Sequence, residues 1–136
     1  MRRMSLLTST GGAPALTHPP PGVSVDPVTA SADLRGKKLG IMLSTKPDHS
    51  NLATCLGLSR AALDRGAGVY LYLVDDGVAN IDDDRILELG RRGAKLFVCA
   101  YGCQRRRLPI TEKATYCGLV VLTDLINGCD RFVALN

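Results

Sequence analysis

Apolar residues fall into two alternating rhythms from Lys37 onward. Leu39, Ile41, Met42 and Leu43 form a short apolar run after Gly36-Lys37-Lys38, the signature of a buried strand. A polar stretch follows, Ser44 to Asn51, broken by Pro47, and Ser50 or Asn51 suits the cap of a helix. Leu52, Cys55, Leu56, Ser59, Ala62 and Leu63 then recur at helical spacing until Gly66. Val69 to Val74 is rich in aromatic and β-branched residues and predicts a second strand, with Asp75-Asp76-Gly77 as a turn at its carboxyl end.

The pattern then repeats. Asp82 is placed to cap a second helix, with Ile81 and Ile86 as a hydrophobic staple. Arg91, Arg92 and Gly93 end that helix. Lys95 to Cys99 predicts the third strand, and residues 100–113 are polar and basic. Residues 119–126 fit either a strand, from Val120, Val121 and Leu122, or a helix stopped at Asn127-Gly128. Arg131 to Leu135 is a final short strand. Strands alternating with helices predict an α/β fold, a three-layer sandwich with a mainly parallel central sheet of about five strands and helices on both faces. In such sheets ligands and chemistry gather at the carboxyl ends of the strands.

Residues 1–35 differ in kind. Five of the seven prolines lie between Pro14 and Pro27, together with Gly11, Gly12 and Gly22, and there is no apolar periodicity. Such a segment buries too little surface to offset its ordering entropy, so residues 1–35 are expected to form a disordered tail ahead of a domain spanning 36–136. The Pro19-Pro20-Pro21 run is a weak polyproline signal.

Composition narrows the function. The net charge is +4, of which Arg2, Arg3 and Arg35 against Asp26 and Asp33 give +1 and the remainder of the chain +3. That excess is too mild to argue for nucleic-acid binding, and with no Trp and only two Phe, stacking platforms are scarce. The apolar run after Arg2-Arg3 is too short for a signal-peptide core, and no stretch approaches the ~18 apolar residues of a membrane span. Five cysteines without a secretory signal point to free thiols in a reducing, cytoplasmic setting. The chain has no Gly-x-Gly-x-x-Gly, Walker or Gly-x-Ser-x-Gly motif, so nothing anchors a nucleotide cofactor or a serine hydrolase, and no cofactor is expected.

Cys99 is the most informative residue. It stands at the carboxyl end of a predicted strand, before Ala-Tyr-Gly-Cys-Gln-Arg-Arg-Arg. A helix beginning near Gly102, with the cations of Arg105, Arg106 and Arg107, favours a thiolate there, as a nucleophilic or sulfur-carrying cysteine needs. Read blandly, Cys99 is a small buried residue at a strand end. Cys103 falls one helical turn further and can resolve an oxidised or persulfidated Cys99 as a disulfide. Arg105 to Arg107 read either as a solvated face or as a binding patch for an anion or an acidic partner. Cys55, Cys117 and Cys129 read as packing residues. His18 and His49 are isolated, and no second cysteine pair at metal spacing exists, so no metal site is expected.

Residues 37–136 resemble the DsrE/DsrF/TusD family of small sulfur-relay proteins. The resemblance rests on Ala61-Ala62-Leu63-Asp64-Arg65-Gly66 before the strand Val69 to Val74, on Asp75-Asp76-Gly77-Val78, and on Phe97-Val98-Cys99 followed by Arg105 and Arg106. Gly118-Leu119 through Leu125, then Cys129-Asp130-Arg131-Phe132-Val133, complete it. It implies that Cys99 accepts sulfane sulfur as a persulfide and passes it on, with protein donors and acceptors as partners. It also implies that residues 118–126 are helical and that the chain assembles as a homo- or hetero-oligomer, a trimer or hexamer. The chain departs from the family's pattern in two ways: Cys103 lies one residue beyond the Cys-x-x-Cys spacing of many relatives, and Arg107 stands where a glycine usually follows the arginine. A non-catalytic ligand- or partner-binding module and a Cys99/Cys103 thiol-redox protein are the alternative functions.

Overall fold

A computed structural model describes residues 32–136 of the chain. The tail expected at 1–35 therefore falls largely outside the described residues. Near its end, the Leu34 amide donates to the Arg65 carbonyl at 2.8 Å, and the Leu34 side chain packs against the core.

Five strands form one wholly parallel sheet. They are β1 (Lys38–Leu43), β2 (Gly68–Leu73), β3 (Lys95–Cys99), β4 (Thr115–Cys117) and β5 (Arg131–Leu135), in the spatial order β4-β3-β2-β1-β5. The helices are α1 (Asn51–Asp64), α2 (Asp84–Arg91), α3 (Ala100–Arg105) and α4 (Leu119–Gly128), with a 3₁₀ helix at Asp75–Asp82.

The strand order dictates the layers. From β1 to β4 each strand is laid down on the same side of its predecessor, so right-handed crossovers put α1, α2 and α3 on one face. The chain then returns from the β4 edge to the far side of β1, where β5 forms the other edge, which puts α4 on the opposite face. Ile41, Leu43, Val69, Leu71, Leu73 and Val98 alternate onto the first face and are almost wholly buried. On the α4 face Met42, Tyr70, Phe97 and Phe132 are only partly covered, because one helix crosses it. Tyr72 and Cys99 are the exceptions there, buried under the start of α4.

The glycines predicted to stop the first two helices do so. Gly66 and Gly93 have φ of +88° and +106°, the left-handed conformation that closes a helix without a side-chain penalty. Residues 119–126 are helical, as the resemblance implies.

Five local expectations are corrected. The turn at Asp75-Asp76-Gly77 extends into the 3₁₀ helix Asp75–Asp82. Neither Ser50 nor Asn51 caps α1 with its side chain; His49 does, its Nδ1 accepting from the Asn51 amide at 3.0 Å. The third helix starts at Ala100, two residues before Gly102, because Cys99 itself occupies the cap position. The cap of α2 is Asp83, not Asp82: its carboxylate accepts from the Arg85 amide at 2.9 Å and pairs with the Arg85 guanidinium. Ile81 and Ile86 are core residues and not a staple across that cap.

Asp83→Ala is therefore expected to cost ~1 kcal/mol in denaturant unfolding, and Asp82→Ala less than ~0.5 kcal/mol, its partner being the exposed Lys113. The pairing with Arg85 holds the Asp83 carboxyl below its ordinary value. A depressed folded-state value stabilises the fold in full above the ordinary carboxylate range, and that part is lost as pH falls through the lowered value. The two variants should differ at neutral pH and converge in acid.

Candidate functional site

The site forms where β2 and β3 end. Cys99 closes β3 and caps α3, with φ −66° and ψ 112°, and its Sγ accepts the Gly102 amide hydrogen at 3.4 Å. The side chain is 3% exposed. It lines a cleft of about 460 Å³ with Val74, Asp75, Tyr101, Gly102, Arg105 and Arg106. Asp75 sits there with φ +52°, a left-handed conformation that aspartate tolerates better than most side chains.

Of the three arginines, Arg105 and Arg106 reach this cleft and Arg107 does not line it. Arg105 donates to the Tyr101 hydroxyl at 3.2 Å. Arg106 pairs with Asp76 at 3.0 Å and donates to the Gly102 carbonyl at 3.2 Å. Its charge is thus shared with a carboxylate, which makes the cleft less cationic than the Arg-Arg-Arg run suggests. Arg107 has a structural position instead. It takes φ +56° just past the end of α3, where the Leu108 amide returns to the Cys103 carbonyl at 2.9 Å. That closure favours glycine, and an L side chain there costs ~1 kcal/mol. Arg107→Gly is expected to raise stability by about that amount, measured as the shift in urea midpoint, with the Cys99 cleft unchanged.

Comparison with known proteins gives a fold and no sequence family. No family model matches the chain, and no curated protein matches it. Among solved structures it is similar to the YchN protein of E. coli, with a TM-score of 0.63 at 17% identity, covering 73% of this chain and 99% of that one. It is also similar to BT1422 of Bacteroides thetaiotaomicron, a conserved protein of unknown function, with a TM-score of 0.59 at 17% identity over 73% of this chain and 95% of that one. The chain shares its fold with these two proteins.

Within this fold, Cys103 lies on α3 and is 1% exposed. Burial pushes its thiol up, and the charges of Cys99, Arg106 and Asp82 act on it. Two further residues also stand at the site: Cys117, which the sequence reads as a packing residue, and Tyr72, which it does not single out. Cys117 is the register partner of Cys99 across β3 and β4. Tyr72 is wholly buried, donates its hydroxyl to the Gly118 carbonyl at 3.0 Å, and faces both thiols. Burial, then its interactions with Cys117 and Cys99, push Tyr72 far above its ordinary range, so it stays protonated. Cys55 is core in α1, and burial pushes its thiol up to about 11. Among the described residues, no three His, Cys, Asp or Glu side chains stand together as metal ligands, and no helix is long and apolar enough to cross a membrane.

Proposed function

We propose that the chain is a persulfide carrier, with Cys99 accepting sulfane sulfur and passing it to a protein acceptor. The observation that carries this reading is the position of the Cys99 sulfur. It ends a strand, takes an amide hydrogen from Gly102, and borders a cleft large enough for a small sulfur donor, with Arg105 and Arg106 on its rim. A persulfide carries its reactive sulfur one bond beyond Sγ. The outer atom of a Cys99 persulfide therefore extends into this cleft, where the two guanidinium groups favour its anionic form.

Loading follows from thiol chemistry. The Cys99 thiolate attacks a sulfane sulfur of the donor, the new sulfur–sulfur bond forms, and the donor's remaining sulfur leaves with the electron pair. Transfer to an acceptor thiolate is the same step in reverse. Exposing the reduced protein to inorganic polysulfide and measuring its intact mass tests the reading. The expected product gains one sulfur, mapped to Cys99.

We also propose that the chain assembles with copies of itself or with relatives as a trimer or hexamer. Tyr101, Leu119, Val120 and Ile126 are between 50% and 72% exposed, and Tyr101 and Leu119 border the Cys99 cleft. Covering them removes apolar surface from water and shields the persulfide. Light scattering at micromolar concentration is expected to give a multiple of the 14.5 kDa chain mass, and a monomer there overturns this.

A further inference from the structure

We propose that Cys117 is the second thiol of this site and that it reduces the Cys99 persulfide, releasing sulfide and closing a Cys99–Cys117 disulfide. The inference rests on the sulfur-carrying reading of Cys99 and adds a second outcome to it: sulfur that no acceptor collects leaves as sulfide.

The register carries the argument. Cys99 and Cys117 are the last paired residues of β3 and β4, and paired residues of neighbouring parallel strands point to the same face. Neighbouring strands lie ~4.8 Å apart, within the ~4.4–6.8 Å range of Cα separations that a disulfide spans. The Tyr72 hydroxyl faces these two thiols and is held by the Gly118 carbonyl, next in the chain to Cys117. Cys103 is also near Cys99, but from α3, among Arg106 and Asp82, and it has no part in the contacts of the Tyr72 hydroxyl with Cys99 and Cys117. Cys117 is also half-buried, whereas Cys99 and Cys103 are nearly inaccessible, so Cys117 is the sulfur that an external thiol reaches to reopen the bond.

Protonation sets the order of events. Burial pushes the Cys117 thiol up, while hydrogen bonding with Tyr72 and the Val98 carbonyl acts the other way. The Cys99 persulfide reacts in its protonated form, because its outer sulfur then leaves as hydrosulfide and not as a sulfide dianion. Cys117 then gives up its proton and attacks the inner sulfur of Cys99. The Cys99–Cys117 bond forms, and the bond to the outer sulfur breaks. The outer sulfur departs with the electron pair as hydrosulfide and takes up the released proton. Each cysteine sulfur is oxidised by one electron and the sulfane sulfur is reduced by two, so the persulfide is itself the oxidant. A small monothiol in the medium restores the dithiol.

The test uses the reduced full chain, wild type and Cys117→Ser, treated with a limiting amount of sodium tetrasulfide and then desalted. Wild type is expected to lose the mass of two hydrogens, to yield a linked Cys99–Cys117 peptide, and to release one sulfide per linked chain. Cys117→Ser should hold its Cys99 adduct at least ~tenfold longer, while Cys103→Ser behaves as wild type. An adduct equally long-lived in wild type, one that moves intact to Cys117, or a link to Cys103 overturns the proposal. A parallel treatment with the thiol oxidant diamide separates the two readings. If Cys117→Ser takes up no sulfur at Cys99, the sulfur-carrying reading fails and the persulfide step with it. The diamide product then decides the pair alone: a Cys99–Cys117 link keeps it as a dithiol, and any other link removes it.

Discussion

Gly77→Ala is expected to destabilise the domain by ~3 kcal/mol or more and to disorganise the Cys99 cleft with it. A Cβ at position 77 collides with the Leu43 carbonyl oxygen, lies 2.7 Å from its carbon, and stands 3.0 Å from Ser44 Cα. These are backbone atoms and cannot rotate away. Leu43 ends β1, which is paired on both sides by β2 and β5, and its carbonyl already accepts the Val74 amide at 3.1 Å. The other party is fixed as well, since the Gly77 amide donates to the Val74 carbonyl at 2.8 Å. Either the central strand or the 3₁₀ helix must move. Moving the helix carries Asp75, Asp76 and Val78 away from Gly102 and Arg106, the residues that frame the cleft. Gly57→Ala is the matched control. It lies within α1 with open space where a Cβ would go, and should raise stability by ~0.5–1 kcal/mol through helix propensity. Urea unfolding of the two variants beside the parent measures both.

Much of this fold is written locally. The α1 stripe of Leu52, Cys55, Leu56, Ser59 and Ala62 is the buried face, because a single side of that helix meets the sheet. Gly66 and Gly93 mark helix ends because their backbone conformation excludes most other residues. What escapes local reading is short or depends on distant partners. β4 has three residues, Thr115–Cys117, and sits at a sheet edge, too brief for any alternation to register. Asp82, Asp83 and Asp84 have the same side chain, and only the chain path out of the 3₁₀ helix selects Asp83 as the cap.

The site divides in the same way. Cys99, Arg105 and Arg106 lie within one short segment, and their proximity is legible from spacing. The pairing of Cys99 with Cys117, and the arrival of Tyr72 beneath both, depend on strand register across residues far apart in sequence. The one signal available in the chain was the match of two strand-end cysteines, and it required knowing that β4 exists. Arg107 teaches the converse: a run of three like residues reads as one patch, yet the closing turn of α3 separates the third from the other two.

Cys99→Ser is expected to abolish sulfur uptake, a loss of at least ~100-fold in the rate of persulfide formation and of any sulfide release coupled to it. A hydroxyl at this position still accepts the Gly102 amide hydrogen, so α3 keeps its cap and the fold should hold. What disappears is the one sulfur among the described residues that combines a place on this cleft with an amide donor. Cys103→Ser should retain uptake, since Cys103, though near Cys99, is buried and does not line the cleft. Arg106→Ala should slow loading without abolishing it, by removing a guanidinium from the rim and freeing Asp76 to repel an anionic donor. Rates read by rapid quench with an alkylating agent and intact mass place the three variants in order. Full loading of Cys99→Ser, or loading lost only in Cys103→Ser, moves the reactive sulfur off β3. A silent wild-type protein leaves the likeness to YchN as one of fold.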